Sequence, residues 1–290
     1  MMTFAIAGSN DGPLYLLRSL KAGSLQPLFV GLQKPVSPSL RQEYLQYIKP
    51  ENFFEGIDES GLMDICKKYI PGILFNVYCN FRFTVLLEKC KVLNIHPAPL
   101  PRYRGRHPMH WALINGEKEF AISIHKMEKE IDAGDIYWQQ FIKVKKGMSV
   151  QELRSALMNK LQSGFAEFLK KYISGKVKSK PNPEKKATYV AKRYPEDSLL
   201  SEWGDSRKII RKVLALRSGA NPACLKIKNS QVSLLQAEAG NRKYEGLVRP
   251  FVTRIASNGF EVACLDGKTI FFSGINPKEY NIQLNDRIEL

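Results

Sequence analysis

Short apolar stretches alternate with amphipathic stretches through the first 150 residues of the chain. The apolar stretches have the length and composition of buried strands. Because helical patterns lie between several of them, their order predicts crossover units and an α/β fold with a mostly parallel sheet. The predicted strands are residues 4–7, 27–31, 73–78, 92–96, 121–127 and 136–144.

Two helices in this part of the chain have recognisable termini. Pro108 suits the first turn of a helix, and Gly116 suits its end. A longer helix is predicted over residues 149–173, because Ser149 and Glu152 have the spacing of a capping box.

The second half of the chain has a different pattern. Residues 176–194 are rich in Lys and Pro, which predicts a connection between domains and no regular element. After a predicted helix over residues 205–216, short apolar stretches separated by Gly and Asn indicate a small closed or nearly closed, OB-like β-barrel. Its predicted strands are residues 231–235, 246–248, 259–264 and 269–273. We therefore expect a larger domain over residues 1–175, a linker over 176–203 and a barrel domain over 204–290.

Composition and charge narrow the class of protein. The 290 residues are 44% apolar and 25% charged, the balance of a globular protein, which excludes a disordered tail. The 44 basic and 28 acidic residues give a net charge of +16. Residues 1–150 hold 19 basic and 14 acidic residues (+5), whereas residues 151–290 hold 25 and 14 (+11). The excess indicates either a polyanionic partner or simple solubility.

The sequence favours a cytoplasmic location. No apolar run approaches the ~20 residues of a membrane-spanning helix, and we expect neither a secretion signal nor a membrane partner. The cysteines are odd in number and widely scattered, which predicts reduced thiols rather than a disulfide framework or a thiolate zinc site. They are Cys66, Cys79, Cys90, Cys224 and Cys264.

All four histidines lie within one thirty-residue stretch, which is the strongest unaided indication of a site, because histidine titrates near neutral pH. Catalysis, metal binding and chance are the alternatives. His107 and His110 have a spacing that suits zinc poorly, and no thiolate lies near them in the sequence. We therefore expect no metal.

Asn94 and His96 are the best catalytic candidates among the polar residues. They are two apart, hence on one face of a strand that Pro97 ends. At the carboxyl end of a parallel strand, the amide can donate to a developing oxyanion and the imidazole can move a proton. The alternative is a strand-end pair that only satisfies the hydrogen bonds of a turn. A carboxylate in the polar turn near residue 132, from either Asp132 or Asp135, can orient the ring; the alternative is that either residue only caps the turn.

Two loops are candidates for substrate binding. The first follows the first predicted strand and contains Ser9, Asn10 and Asp11. It is a poor dinucleotide signature, and we interpret it as the lining of a substrate pocket. The second, residues 100–108, packs three arginines between prolines, and Arg side chains suit phosphate oxygens. Its predicted substrate ligands are Arg104, Arg106 and His107.

Four segments together carry a specific resemblance: residues 94–97 (Asn-Ile-His-Pro), 100–105 (Leu-Pro-Arg-Tyr-Arg-Gly), 116–117 (Gly-Glu) and 131–136 (Ile-Asp-Ala-Gly-Asp-Ile). They resemble the folate-dependent formyltransferase family, which includes enzymes acting on methionyl-tRNA, glycinamide ribonucleotide and nucleotide-linked amino sugars. Residues 187–197 and Trp203 are similar to the junction into the carboxyl-terminal barrel of some members. The resemblance therefore covers the whole chain, and it implies a Rossmann-like formyltransferase fold.

The resemblance also implies the chemistry. The formyl donor is N10-formyltetrahydrofolate, a co-substrate, and the acceptor is an amine. The family's catalytic residues correspond to Asn94, His96 and Asp132, which selects Asp132 over Asp135. The resemblance places the folate against a segment near residue 80 and the turn before Asp132, with the ligands Tyr78, Asn80, Phe81, Arg82 and Ile131.

Two patterns favour a nucleotide-linked amino sugar as the acceptor, and with it a role in lipopolysaccharide or other glycan biosynthesis. Residues 31–41 are short and hold two basic residues, whereas the tRNA enzymes carry a long basic loop there. Residues 104–111 resemble the sugar enzymes, since the tRNA enzymes prefer small residues after that Gly. Nucleic acid is then not expected as a partner, and a homodimer is possible. Methionyl-tRNA formyltransferase, favoured by the basic second half, and a non-catalytic basic RNA-binding module are the alternatives.

Overall fold

The computed structural model describes residues 2–21, 23, 25–81 and 83–289. These residues divide into two compact units. The first comprises residues 1–105, 120–142 and 155–190, and the second comprises residues 106–119, 143–154 and 191–290. The boundary near residue 190 falls inside the segment that the sequence predicts as a linker.

A seven-stranded sheet forms the centre of the first unit. Its strands, in chain order, are β1 (Phe4–Gly8), β2 (Val30–Leu32), β3 (Phe53–Glu55), β4 (Ile73–Val77), β5 (Val92–His96), β7 (Glu119–Lys126) and β8 (Ile136–Lys143). The spatial order is β3-β2-β1-β4-β5-β7-β8, with parallel pairing from β3 to β5 and antiparallel pairing of β5 with β7. The prediction of a mostly parallel α/β sheet is therefore confirmed, although the short strand β3 was not predicted.

Among the described residues, four helices connect the parallel strands: α1 (Gly12–Leu20), α2 (Pro38–Tyr44), α3 (Glu59–Tyr69) and α4 (Leu86–Lys89). A fifth helix, α6 (Val150–Ile173), follows β8 and packs on the sheet, where the Phe165 ring centroid lies 5.1 Å from that of Phe75 on β4. Every residue of β1, β4 and β5 is buried, as expected for parallel strands covered on both faces. The predicted capping box is present at the start of α6, since the Ser149 N–H donates to Glu152 over 2.7 Å and the Glu152 N–H donates to Ser149 Oγ over 3.3 Å.

A second, two-stranded sheet in this unit consists of β6 (Arg104–Gly105) and β9 (Tyr189–Val190), which pair in parallel. Gly105 permits this pairing, because its φ is +104° and a Cβ atom there would lie 2.4 Å from the Val190 carbonyl oxygen. The Lys- and Pro-rich segment before β9 is therefore packed within the first unit.

The second unit contains two helices and the carboxyl-terminal strands. The helices are α5 (Pro108–Asn115), which begins and ends as predicted, and α7 (Ser206–Leu216). The strands are β10 (Ala223–Ile227), β11 (Ser230–Leu234), β12 (Gln236–Lys243), β13 (Phe251–Ala256), β14 (Gly259–Ala263) and β15 (Lys268–Ser273). Trp203, Ile209, Phe260 and Phe272 are among the buried side chains of their core.

The carboxyl-terminal strands differ in two respects from the barrel that the sequence predicts. β10 and β11 form a hairpin, and β12, β15, β14 and β13 form a separate four-stranded sheet in that order. The described pairings do not join the two sheets into a closed barrel, so the OB-like barrel stays a prediction. The predicted strand at residues 246–248 is wrong: Val248 is 82% exposed, and this apolar stretch has no strand partner in the described chain.

Candidate functional site

Three polar residues lie side by side on adjacent strands of the central sheet. Asn94 on β5 is in register with Asn76 on β4 and with His125 on β7. Asn76 Nδ2 donates to Asn94 Oδ1 over 2.8 Å, and Asn94 Nδ2 lies 3.1 Å from His125 Nε2. All three are at least 92% buried. Because buried polar groups need partners, this row fixes the orientation of the Asn94 amide.

Asp132 completes the cluster from the turn between β7 and β8. Its carboxylate oxygen Oδ1 accepts from Asn94 Nδ2 over 3.3 Å and lies 3.4 Å from His125 Nε2. The other oxygen, Oδ2, accepts from the Gly105 N–H over 2.9 Å and lies 3.5 Å from His96 Nδ1. The structure thus brings Asn94, His96 and Asp132 together. Asp135 accepts instead from Ser179 Oγ over 3.0 Å.

The His96 ring has a defined proton arrangement. His96 Nε2 lies 2.9 Å from the Tyr103 carbonyl oxygen. Because a carbonyl can only accept, Nε2 carries a hydrogen. In the neutral ring, Nδ1 is then the proton-accepting nitrogen, and it faces Asp132. A proton taken up by Nδ1 is stabilised by the adjacent carboxylate.

Burial and charge set the protonation of this pair. Burial lowers the pKa of His96, and the opposing effects of the Asp132 carboxylate and the Tyr103 carbonyl do not outweigh it. Burial acts to raise the pKa of Asp132, but His96, His125 and the Gly105 N–H together outweigh burial and hold this pKa well below its usual range. At neutral pH the site therefore combines a neutral imidazole with a carboxylate.

The loop after β1 approaches the segment near residue 80 within the same unit. Ser9 is 7% exposed, and its hydroxyl donates to the Tyr78 carbonyl over 2.6 Å. Asn10 is exposed with a φ of +51°, and its carbonyl accepts from Tyr44 Oη over 2.7 Å. Asp11 precedes α1 as its N-cap residue. Asn10 and Asp11 are therefore the accessible side chains of this predicted substrate loop.

The predicted folate ligands offer a mixture of polar and apolar groups. Tyr78 Oη donates to Met158 Sδ over 3.2 Å, and the Asn80 N–H donates to the side chain of Gln33 over 2.8 Å. Phe81 is half-buried with its ring centroid 5.0 Å from that of Phe83. Ile131, next to Asp132, is 61% exposed. Arg82, also predicted to bind folate, lies outside the described residues.

The three predicted substrate ligands of the arginine-rich loop are in different surroundings. Arg104 is 1% exposed, and its guanidinium donates to Asn182, Glu184 and Tyr189 within the first unit. Arg106 and His107 belong to the second unit, where Arg106 is exposed. His107 Nδ1 accepts from the Arg193 N–H over 2.8 Å.

The Arg104 guanidinium is therefore buried and bonded to other residues of the first unit. Its role as a substrate ligand stays a prediction. Two further residues of the cluster, Asn76 and His125, were not predicted. The signal for both was available in the sequence: each lies in a stretch with the pattern of a buried strand, where a polar side chain requires a partner. What the sequence lacks is the strand register that makes them partners of Asn94.

No group of three or more His, Cys, Asp or Glu side chains in the described ranges is arranged to hold a metal ion. Within the same residues, no helix has both the length and the apolar character needed to cross a bilayer.

Part of the chain is similar to known formyltransferases. Residues 84–169 match the family described as formyl transferase, which confirms the resemblance found in the sequence. The chain is also 36% identical over 122 residues to a methionyl-tRNA formyltransferase from Kosmotoga olearia. That alignment covers 42% of this chain and 39% of the relative, so the match spans about two fifths of the relative's length.

Two solved structures share the fold at low sequence identity. One is the N-formyltransferase from Helicobacter canadensis in complex with folinic acid and dTDP-3-aminofucose, with a TM-score of 0.70, 16% identity and coverage of 95% of this chain and all of that one. The other is HypX from Aquifex aeolicus in complex with tetrahydrofolic acid, with a TM-score of 0.65, 17% identity and coverage of 93% of this chain and 43% of that chain.

Proposed function

We propose that the chain is an N-formyltransferase that moves the formyl group of N10-formyltetrahydrofolate to the amine of a nucleotide-linked amino deoxysugar. The observation that carries the proposal is the convergence of Asn94, His96 and Asp132 within 3.5 Å contacts at the carboxyl end of β5. An amide donor, a neutral base and a carboxylate are the groups that acyl transfer to an amine requires.

The proton of the attacking amine goes to His96. The unprotonated amine forms a bond to the formyl carbon, the bond from that carbon to N10 breaks, and the amine must lose a proton. His96 Nδ1 is the accepting nitrogen, because Nε2 already donates to the Tyr103 carbonyl. Asp132 stabilises the resulting imidazolium, because the added hydrogen lies on the nitrogen that faces the carboxylate, and the Tyr103 carbonyl orients the ring. The proton then passes to N10 of the departing tetrahydrofolate.

Asn94 stabilises the negative charge that grows on the formyl oxygen. Its Nδ2 is oriented by the bond from Asn76 Nδ2 to Asn94 Oδ1. Both hydrogens of Nδ2 have partners in this structure, at 3.1 and 3.3 Å. These contacts are longer than strong hydrogen bonds, so one of them can be exchanged for a bond to the oxygen of the reacting formyl group.

The predicted folate ligands have the apolar and polar groups that a folate requires. A pterin ring needs an apolar surface and polar edge groups, which the exposed Ile131, the half-buried Phe81 and the exposed Asn80 offer. The donor supplies the formyl carbon, and these side chains bind and orient it beside Asp132.

Two features support a sugar rather than tRNA as the acceptor. The connection between β2 and α2 is limited to residues 33–37, too short for a long basic arm. The related fold of the Helicobacter canadensis enzyme covers 95% of this chain, and that enzyme binds a dTDP-linked amino sugar. Within the first unit, Asn10 and Asp11 are the proposed ligands of the nucleotide-sugar. The role of Arg106 as a substrate ligand stays a prediction. The cytoplasmic location and the homodimer expected from the sequence stay predictions.

Methionyl-tRNA is the second candidate acceptor. It is favoured by the 36% identity to the Kosmotoga olearia enzyme and by the +11 charge of residues 151–290. Lys and Arg side chains bind the phosphate backbone of a nucleic acid with an affinity that does not depend on its sequence.

An acceptor panel distinguishes these functions. The purified chain is incubated with N10-formyltetrahydrofolate and either UDP-, TDP- and GDP-linked amino sugars or methionyl-tRNA, and the formylated product is measured by mass spectrometry. A His96→Gln variant serves as the inactive control. We expect the parent chain to formylate one of the amino sugars and the His96→Gln variant to formylate none. Formylation of only the tRNA would refute the proposed acceptor, and no turnover with any acceptor would favour the RNA-binding module.

A further inference from the structure

The Lys- and Pro-rich segment from residue 180 to residue 190, here called the strap, lies on the candidate site. Lys180 at its start exchanges two backbone hydrogen bonds with Ile136, at 2.7 and 2.9 Å. Its end is β9, which pairs with β6 through Tyr189 and Val190. Both ends of the strap are therefore held by backbone bonds within the first unit.

Asn182 connects the strap to the backbone of that turn. It is 8% exposed, and its Nδ2 donates to the Asp132 carbonyl over 2.8 Å and to the Gly134 carbonyl over 3.0 Å. Both hydrogens of the amide are therefore used to hold the residues that carry the Asp132 carboxylate. Asp132 itself has a φ of +51°, a backbone conformation that a non-glycine residue keeps only when its surroundings stabilise it.

Arg104 fixes the orientation of the Asn182 amide. The buried Nη2 atom donates to Asn182 Oδ1 over 3.0 Å and to the Asn182 carbonyl over 2.9 Å. Since Arg only donates, the oxygen of the amide must face Arg104 and the nitrogen must face the turn. Nη1 donates to Tyr189 Oη over 2.9 Å and to the Glu184 carboxylate, so the same guanidinium joins three residues of the strap.

A second connection from the strap reaches His96. Thr188 Oγ1 accepts from the Tyr103 N–H, and the Thr188 carbonyl accepts from the Arg104 N–H, both over 2.9 Å. These bonds hold the backbone whose Tyr103 carbonyl accepts from His96 and whose Gly105 N–H donates to Asp132. The strap thus holds both the turn that carries Asp132 and the backbone that contacts His96.

We infer that the strap is a positioning element of the formyl-transfer site and that Asn182 is its central positioning residue, with Arg104 and Thr188 as supports. The inference rests on the proposed function for its kinetic consequences. It also reassigns the segment: residues that the sequence predicts as an interdomain linker set the distance between the base and its carboxylate.

Three variants and one control test the inference in the full chain. Asn182→Ala removes both donors to the Asp132 turn, and Asn182→Gln keeps an amide at the end of a longer side chain. Thr188→Val removes the acceptor for the Tyr103 N–H at nearly constant volume. Lys185→Ala is the control, because Lys185 is exposed on the same strap and its side chain has no bond to Asn182, Thr188 or the Asp132 turn within the described residues.

We expect Asn182→Ala to lower kcat roughly tenfold to a hundredfold, since a misplacement of about 1 Å costs about that much. KM for the acceptor changes less than about threefold, because the side chain of Asn182 bonds to the Asp132 turn and to the buried Arg104, and not to the proposed ligands Asn10 and Asp11. Asn182→Gln restores part of kcat, Thr188→Val gives a smaller loss, and Lys185→Ala retains the parent values. Equal losses in kcat and in folded fraction, measured by circular dichroism, would overturn the inference.

A titration of His96 makes the test independent of turnover. The Asp132 carboxylate raises the pKa of His96, so its displacement lowers that pKa further and moves the acid limb of kcat to lower pH. NMR of the four histidines, with His96 identified by its absence in His96→Gln, measures the same shift directly. An unchanged His96 titration in Asn182→Ala and Thr188→Val would overturn the positioning role. Absence of turnover in the parent chain would overturn the proposed function instead.

Discussion

The Gly105 backbone N–H donates to the Asp132 carboxylate over 2.9 Å. A backbone donor cannot rotate away as a side chain can, so it fixes Oδ2 on the side that faces His96. The bond depends on β6, where the φ of +104° and the close approach of Val190 both require a glycine. A small two-stranded sheet thereby determines the direction of a carboxylate at the end of the central sheet.

Gly105→Ala is expected to impair both folding stability and turnover. The added Cβ would lie 2.4 Å from the Val190 carbonyl oxygen, and the positive φ costs an additional ~1–2 kcal/mol. The backbone at residue 105 must shift to relieve this contact, and the shift moves the N–H that donates to Asp132. Gly175→Ala is the matched control, since Gly175 also has a positive φ, of +71°, but has open space around its Cβ position. We expect both variants to lower the free energy of unfolding and only Gly105→Ala to lower kcat. Equal kcat in the two variants would contradict this role.

Asp132→Asn is expected to lower turnover far more than folate affinity. The neutral amide cannot stabilise the imidazolium of His96, and loss of acid–base support costs about a hundredfold or more in kcat. The dissociation constant of tetrahydrofolate, measured by fluorescence quenching, changes little. Asp135→Asn in the same turn is the control, because Asp135 bonds to Ser179 and not to the catalytic candidates. Parent-like turnover in Asp132→Asn would remove this carboxylate from the mechanism.

Asn94→Ala is expected to lower kcat by two to three orders of magnitude, because loss of one oxyanion donor costs about 3–4 kcal/mol of barrier. The variant also leaves Asn76 Nδ2 without its partner and lowers the free energy of unfolding by about 1–3 kcal/mol. Asn76→Ala separates the two effects: it loses the same hydrogen bond, but it retains the Asn94 donor. We expect a similar loss of stability in urea unfolding and a much smaller loss of kcat in Asn76→Ala. A similar kcat loss in both variants would make Asn94 a structural residue.

The sequence predicted the strands of the central sheet well where burial decides the pattern. β1, β4 and β5 are apolar runs bounded by breakers, and their predicted limits agree with the structure to within one residue. Prediction was poorer for strands with one exposed face. β12 contains Gly, Asn and charged residues, and most of its residues are exposed, so its pairing with β15 determines its conformation more than its own propensity does.

The candidate site was predictable in part for a similar reason. Asn94 and His96 lie on one strand at a spacing of two, so local geometry suffices to place them together. The choice of Asp132 over Asp135 required either the family resemblance or the structure. Asn182 could not be predicted, because its contacts with Asp132 and Gly134 join residues about fifty positions apart in the chain. No local pattern encodes contacts at such a distance.

The pH dependence of stability offers a test on His110 of the second unit. Burial lowers the pKa of His110 to about 4, and the nearby positive groups His107 and Arg193 act in the same direction. His110 Nδ1 is buried without a hydrogen-bond partner among the described residues. Between pH 6.5 and pH 4 the unfolded ring therefore binds a proton that the folded ring does not. The free energy of unfolding falls as the pH is lowered through this window.

His110→Phe should remove this loss. A pKa shift of this size corresponds to roughly 3 kcal/mol, which the partial exposure of the ring reduces to about 2 kcal/mol. Urea unfolding of the parent and the variant at pH 7.5 and pH 4.5 measures it, because the difference between the two proteins cancels the contributions of His96 and of the carboxylates. We expect His110→Phe to gain about 2 kcal/mol relative to the parent between the two pH values. A constant difference would mean that His110 is protonated in the folded protein as readily as in the unfolded chain, and would contradict its assignment as a buried neutral ring.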